Sequence, residues 1–226
     1  GALMPHAKKE ALVRLLARHG VPLIEDDVYA ELHFGARRPL PAKAFDQEGL
    51  VLHCSSFSKC LAPGYRVGWA AAGRFGKDVE RLKTMTSLAS PIPPQLAIAE
   101  YLVQGGYERH LRQLRHTLES HHRVARTCIE RFFPRGTRMT VPQGGYFVWL
   151  ELPKGVDALA IHHRAMAQSI STAPGVLFSA DRRFSHHLRL NVGHPVDQRV
   201  RGALKLLGQW AKEGNSSGGM QAPPGR

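Results

Sequence analysis

The stretch Ser55-Ser-Phe-Ser-Lys-Cys-Leu-Ala-Pro-Gly-Tyr-Arg-Val-Gly-Trp69 decides how this chain is read. Apolar runs flank it, Leu50-Val-Leu-His-Cys54 before and Val67-Gly-Trp-Ala-Ala-Ala72 after, so a polar loop joins two predicted buried strands. Two hydroxyls, Ser56 and Ser58, stand three residues and one residue before Lys59, and Gly64 and Arg66 follow shortly after. Hydroxyl donors and a guanidinium fork match the oxygens of a phosphate, and the lysine is close enough to react with a carbonyl on the same ligand. An ordinary polar loop with an exposed lysine accounts for the same spacing, because short serine-lysine patterns are common.

Upstream, Leu12, Leu15 and Leu16 share one helical face over residues 8–19, Gly20 follows as a stop, and Val21-Pro-Leu-Ile-Glu25 is a short apolar run. That predicted strand closes in Glu25-Asp26-Asp27-Val28-Tyr29. Ligands of open α/β sheets bind beyond the carboxyl ends of strands, which places Asp26 or Asp27 at a possible site. An aspartate after a strand also caps the next turn, and for this pair alone capping is the simpler reading.

Downstream, helical patterns cover residues 78–88, 94–102 and 107–133, the last with Leu111, Leu114, Leu118, Ala125 and Ile129 inward. Residues 138–141 and 146–152, separated by Pro142-Gln-Gly-Gly145, read as a pair of strands. A helix over 156–169 and a strand over 188–192 follow. Pro195 is expected to open a last helix with Val196, Val200, Leu204 and Leu207 on one side, and the Gly-, Ser- and Pro-rich tail from Glu213 is expected to be disordered. Strands interspersed with helices predict an α/β sheet covered on both faces.

Composition narrows the function classes. With 226 residues the chain can bury a sizeable core, and it has no apolar stretch of membrane-spanning length. Cys54, Cys60 and Cys128 lack CxxC spacing, which argues against a zinc ribbon or a disulfide framework and for a reducing compartment, read as the cytoplasm. The net charge of +13 is spread along helices, as at Arg112, Arg115, Arg123 and Arg126, and no nucleic-acid-binding motif accompanies it. DNA binding by this segment is therefore not expected. The pairs His121-His122, His162-His163 and His186-His187 have no HExxH or carboxylate cluster beside them, so no metal site is expected. Trp69, Phe147 and Trp149 read as core aromatics and Cys60 as a packing residue.

Arg189 lies inside an apolar strand, Leu188-Arg-Leu-Asn-Val192, where an unpaired charge is costly. An intramolecular salt bridge and a bidentate grip on a substrate carboxylate explain it equally well.

Taken in order, five segments resemble the fold-type-I pyridoxal-phosphate (PLP) aminotransferases of classes I and II. The likeness is closest to the branch holding aminoadipate and kynurenine aminotransferases and the aminotransferase-like domains of MocR regulators. The segments are Ile24-Glu-Asp-Asp-Val-Tyr-Ala-Glu-Leu-His-Phe34, Ser55 to Trp69, Pro142-Gln-Gly-Gly-Tyr-Phe-Val-Trp149, Pro174-Gly-Val-Leu-Phe178 and Leu188-Arg-Leu-Asn191. The resemblance implies an α/β PLP-transferase fold, with part of a large domain and its mostly parallel sheet over residues 1–115, a small α+β domain over 116–212, and the tail over 213–226. It implies Lys59 as the Schiff-base lysine, Asp26 as partner of the pyridine nitrogen, and Tyr29 as partner of the cofactor's phenolic oxygen. It further implies Ser56, Ser58 and Arg66 as phosphate ligands and Arg189 as the arginine for the substrate α-carboxylate.

The implied reaction moves an amino group between an amino acid and a 2-oxo acid, in a protein that is a homodimer when full length. The alternative is the PLP-binding effector domain of a MocR/GntR-type regulator, with DNA bound by an upstream winged helix. Gly1-Ala-Leu-Met-Pro5 resembles the stretch just after the family's Asn-Pro motif, so the chain is expected to be an N-terminally truncated piece that holds PLP weakly by itself.

Overall fold

The computed structural model describes residues 1–217. The chain separates into two compact units: Leu3–His116, and Thr117 onward together with Gly1–Ala2.

The N-terminal unit opens with α1 (His6–Arg18). Gly20, at φ +63°, ends it: its amide donates to Ala17 O (3.1 Å) and the Val21 amide to Leu16 O (3.0 Å), a paired arrangement that needs a left-handed residue at this point. Val13 of α1 packs against Ala42 and Val51 in a small core with Leu23 and Phe45 around it. Strands β1 (Leu23–Asp26), β2 (Val51–Ser56) and β3 (Gly68–Ala71) form a sheet in that order. β1 and β2 run parallel, with Asp26 opposite Cys54, whereas β3 returns antiparallel to β2. The sheet was expected to be mostly parallel. The polar loop between β2 and β3 contains no crossover helix, and without one the chain can only return antiparallel. Helices α2 (Gly76–Ser87) and α3 (Ile92–Val103) follow, and α4 (Gly106–Phe132) continues into the next unit.

In the C-terminal unit, β4 (Arg138–Met139), β5 (Phe147–Glu151), β6 (Ala173–Pro174) and β7 (His187–Asn191) form an antiparallel sheet in the order β4-β5-β7-β6. Val148, Leu150, Leu188 and Leu190 alternate with less buried neighbours and face a core that also holds Ala125, Ile129, Ile161, Leu204 and Leu207. Burying side chains of this size contributes about 1.5–3 kcal/mol each relative to leaving them in water. Helix α5 (Ala158–Ala167) starts at Asp157, whose carboxylate accepts from the amides of Leu159 and Ala160. Helix α6 (Gln198–Ser217) begins after Pro195, at Asp197, whose carboxylate accepts from the Val200 amide at 2.9 Å.

α6 also runs past Glu213, where the disordered tail was expected to start. Arg164 of α5 explains the difference: it pairs with Glu213 at 2.8 Å and lies over the Trp210 ring at 4.8 Å, docking the last turns. The remainder of that tail, 218–226, lies outside the described residues. None of the helices described is long and apolar enough to cross a membrane.

Candidate functional site

Parallel pairing of β1 with β2 sets the carboxyl ends of both strands side by side, and each end carries polar residues. Three consecutive acids close β1 and have different partners. Glu25 accepts from the amides of Ala42 and Lys43, at 2.7 and 3.1 Å, and so caps the short helix there. Asp27 accepts from His53 Nε2 at 2.9 Å and from the Arg38 guanidinium at 3.2 Å. Arg38 also donates to Glu31 at 2.6 Å, and Arg115 Nε donates to the Glu31 carbonyl at 2.7 Å. Asp26 is exposed, and its carboxylate has no hydrogen-bond or ion-pair partner among the described residues.

Tyr29 follows one turn later, with Lys59 Nζ 5.9 Å from its ring centroid. Lys59 sits on a tight turn closed by Leu61 N donating to Phe57 O (2.9 Å) and tied to the next strand by Phe57 N donating to Val67 O (3.1 Å). Arg66 holds a left-handed backbone at φ 54° and donates to the Ser58 hydroxyl at 3.1 Å and to Pro63 O at 3.3 Å. Non-glycine residues in that region are strained and concentrate at ligand clamps. The Ser58 amide donates to Ser56 Oγ at 3.3 Å. A side chain at Gly68 would press on β2, its Cβ 2.9 Å from Ser55 O.

The N-terminal unit thus gathers Asp26, Tyr29, Ser56, Ser58, Lys59 and Arg66 from two adjacent strand ends. Their donor set suits pyridoxal phosphate: hydroxyls and a guanidinium for the phosphate, an amine for the aldehyde, and an unpartnered carboxylate for a protonated ring nitrogen.

Arg189 belongs to the C-terminal unit, on β7. No carboxylate pairs with it among the described residues. Its guanidinium lies over two aromatic rings instead, 4.4 Å from the centroid of Phe147 and 4.7 Å from that of Phe178. Phe147, read from sequence as core, is therefore part of the arginine's seat. Trp69, also expected in the core, is 45% exposed and meets His53 edge-on at 5.0 Å. All three cysteines are free, and burial pushes the Cys60 thiol above its ordinary range, so it is not a thiolate at neutral pH.

One cluster escaped the sequence reading: Glu151, His186 and His187 each bring a ligand-type atom within 4.8 Å of the others. Two Arg138 donors already hold the Glu151 carboxylate, at 2.9 and 2.5 Å, as a pair across β4 and β5.

Comparison with known proteins bears on the family and the fold. The family model for aminotransferase class I and II matches residues 1–205. The uncharacterised HTH-type transcriptional regulator YdcR of Escherichia coli K12 is 43% identical over 94% of this chain and 46% of its own length. The 2-aminoadipate transaminase of Thermus thermophilus is 32% identical over 94% of this chain and 54% of its own. Pyrococcus horikoshii kynurenine aminotransferase, solved with PMP and kynurenine, superposes with a TM-score of 0.86 at 31% identity, over 94% of this chain and 53% of that one. The chain spans about half the length of the curated relatives it matches. It belongs to the class I and II aminotransferase family.

Proposed function

We propose that this chain supplies the cofactor-holding lysine and the substrate-carboxylate arginine of a PLP-dependent aminotransferase. The observation that carries the reading is the difference between two neighbouring acids. Asp27 is engaged by Arg38 and His53, while the Asp26 carboxylate has no partner among the described residues and lies on the strand end that pairs with the strand leading into the Lys59 turn.

When bound, pyridoxal phosphate supplies an electron-withdrawing ring that stabilises negative charge on the substrate α-carbon. Asp26 keeps the ring nitrogen protonated, and Tyr29 donates to the phenolic oxygen. Ser56, Ser58 and Arg66 bind the phosphate. Lys59 Nζ would hold the aldehyde, and its amine would move a proton at the substrate α-carbon. Arg189 takes the α-carboxylate with a bidentate fork, and Phe147 and Phe178 limit the orientations open to it. The overall reaction transfers an amino group from an amino acid to a 2-oxo acid.

A second reading is the effector domain of a transcriptional regulator, favoured by the 43% identity to an HTH-type regulator. The same side chains would then sense an amine, and DNA would be bound by a separate segment. Incubating the chain, and a version extended upstream, with PLP, an amino acid and a 2-oxo acid tests the first reading. It predicts catalytic amounts of exchanged product that vanish in Lys59→Ala. Cofactor binding without turnover in the extended version would leave only the regulator reading.

A further inference from the structure

The turn that presents Lys59 is held from behind by the first turns of α4. His110 Nε2 lies 2.7 Å from the Cys60 carbonyl. A carbonyl only accepts, so this ring nitrogen carries the proton. The Tyr107 hydroxyl meets Cys60 Sγ at 3.2 Å, and the Tyr107 ring packs edge-on against Phe57 with centroids 6.0 Å apart. Tyr107 and His110 are three residues apart and so share one face of α4. Phe57 and Cys60 bracket Ser58 and Lys59, so one helix face grips the turn on both sides of the reactive amine.

Cys60 is 3% exposed, which makes the grip a buried one. Its thiol also donates toward Ser56 O at 3.8 Å, reaching back to the strand end that carries the phosphate-type hydroxyl. Burial pushes both the Cys60 thiol and the Tyr107 phenol above their ordinary ranges. Neither the thiol nor the phenol ionises at neutral pH, so this pair adds no negative charge beneath Lys59. Neither Tyr107 nor His110 belongs to the group of side chains assigned to the cofactor.

We propose that Tyr107 and His110 are positioning residues that fix the direction of Lys59 through Phe57 and Cys60. This rests on the reading of Lys59 as the cofactor lysine. A misplacement of about 1 Å at a reacting group can lower a rate about a hundredfold, so anchoring of the turn bears on kcat more than on substrate binding.

The test uses the version extended upstream, loaded with PLP, and its variants His110→Ala, His110→Gln and Tyr107→Phe. In His110→Ala, borohydride still fixes a pyridoxyl group on Lys59 and the far-ultraviolet circular dichroism is unchanged. The induced dichroism of the bound cofactor falls severalfold, and kcat for amino-group transfer falls about tenfold or more with KM within about twofold. His110→Gln, whose amide N–H can reach the same carbonyl, restores both signals, and Tyr107→Phe gives a smaller loss because its ring remains on Phe57. An unchanged cofactor band and kcat in His110→Ala would overturn the proposal, as would a His110→Gln variant that folds and is equally defective. Absence of a Lys59 adduct in the unsubstituted extended version would instead sink the underlying assignment of Lys59.

Discussion

The two units of this chain are held together by different physics. In the C-terminal unit a contiguous apolar core runs through β5, β7, α4, α5 and α6, and Leu150 and Leu188 are fully buried in it. In the N-terminal unit Leu32, Leu50, Ile98 and Leu111 are buried and a small cluster gathers around Val13, Ala42 and Val51, but α2 buries no residue and every residue of β3 is exposed. Ile24, Met85 and Leu88 are 72%, 75% and 82% exposed. Yet all the candidate cofactor residues lie in this second unit, on strand ends braced by the ion network of Asp27, Arg38, Glu31 and Arg115. Packing strength and chemical equipment are thus separable. A loop that presents reactive groups needs a fixed backbone, and polar anchors can fix it where apolar cover is thin.

The sharpest way to break this comparison is to remove one leucine from each unit. Leu150→Ala should cost about 2–5 kcal/mol, whereas Leu82→Ala on the exposed face of α2 should stay within about 0.5 kcal/mol, both read by chemical denaturation. Equal losses would show that the N-terminal unit depends on apolar packing after all. Next in size, Arg38→Ala strips a partner from both Asp27 and Glu31 and should cost about 1–2 kcal/mol, reduced by the partial exposure of the arginine. A silent Arg38→Ala would remove the network from the account. Asp157→Ala deletes two capping bonds of α5 and should cost about 1 kcal/mol without affecting cofactor binding.

The smallest effect is proton-linked and sharpens the contrast. Burial is the first cause holding His122 and His187 in the C-terminal unit, and His33 in the N-terminal one, below their ordinary value of 6.5. A folded-state value below the unfolded one means that the unfolded chain binds more protons, so stability is complete above about pH 6.5 and declines as pH falls below it. Denaturation midpoints at pH 7.5 and 5.5 should therefore drop on acidification, and His122→Gln, which keeps a donor toward the Gly145 carbonyl, should shrink the drop. A midpoint that rises on acidification would reverse the sign of this argument.

Much of the architecture is legible in the chain itself. Apolar periodicity marks the main helices and strands, because burial of one face imposes that pattern on the residues. Sheet direction is less visible: whether β3 runs with or against β2 depends on the absence of a crossover helix. β6 was missed because two residues ending in a proline on an edge carry no alternation. Within the site, residue type alone cannot separate Asp26 from Asp27. The distinction lies in Arg38 and His53, eleven and twenty-six positions away from Asp27. The aromatic seat of Arg189 was hidden for the same reason, since an arginine inside an apolar strand suggests a carboxylate before it suggests two rings. Tyr107 and His110 carry no local signal, because their partner Cys60 lies 47 and 50 positions away.

The most direct test of the central claim is borohydride reduction of the protein with PLP, followed by peptide mass mapping, on this chain and on a version extended upstream. The account predicts a single pyridoxyl adduct on Lys59, weakened by Asp26→Asn and unaffected by Leu82→Ala. Modification scattered over surface lysines, or no adduct on Lys59 in either version, would contradict it.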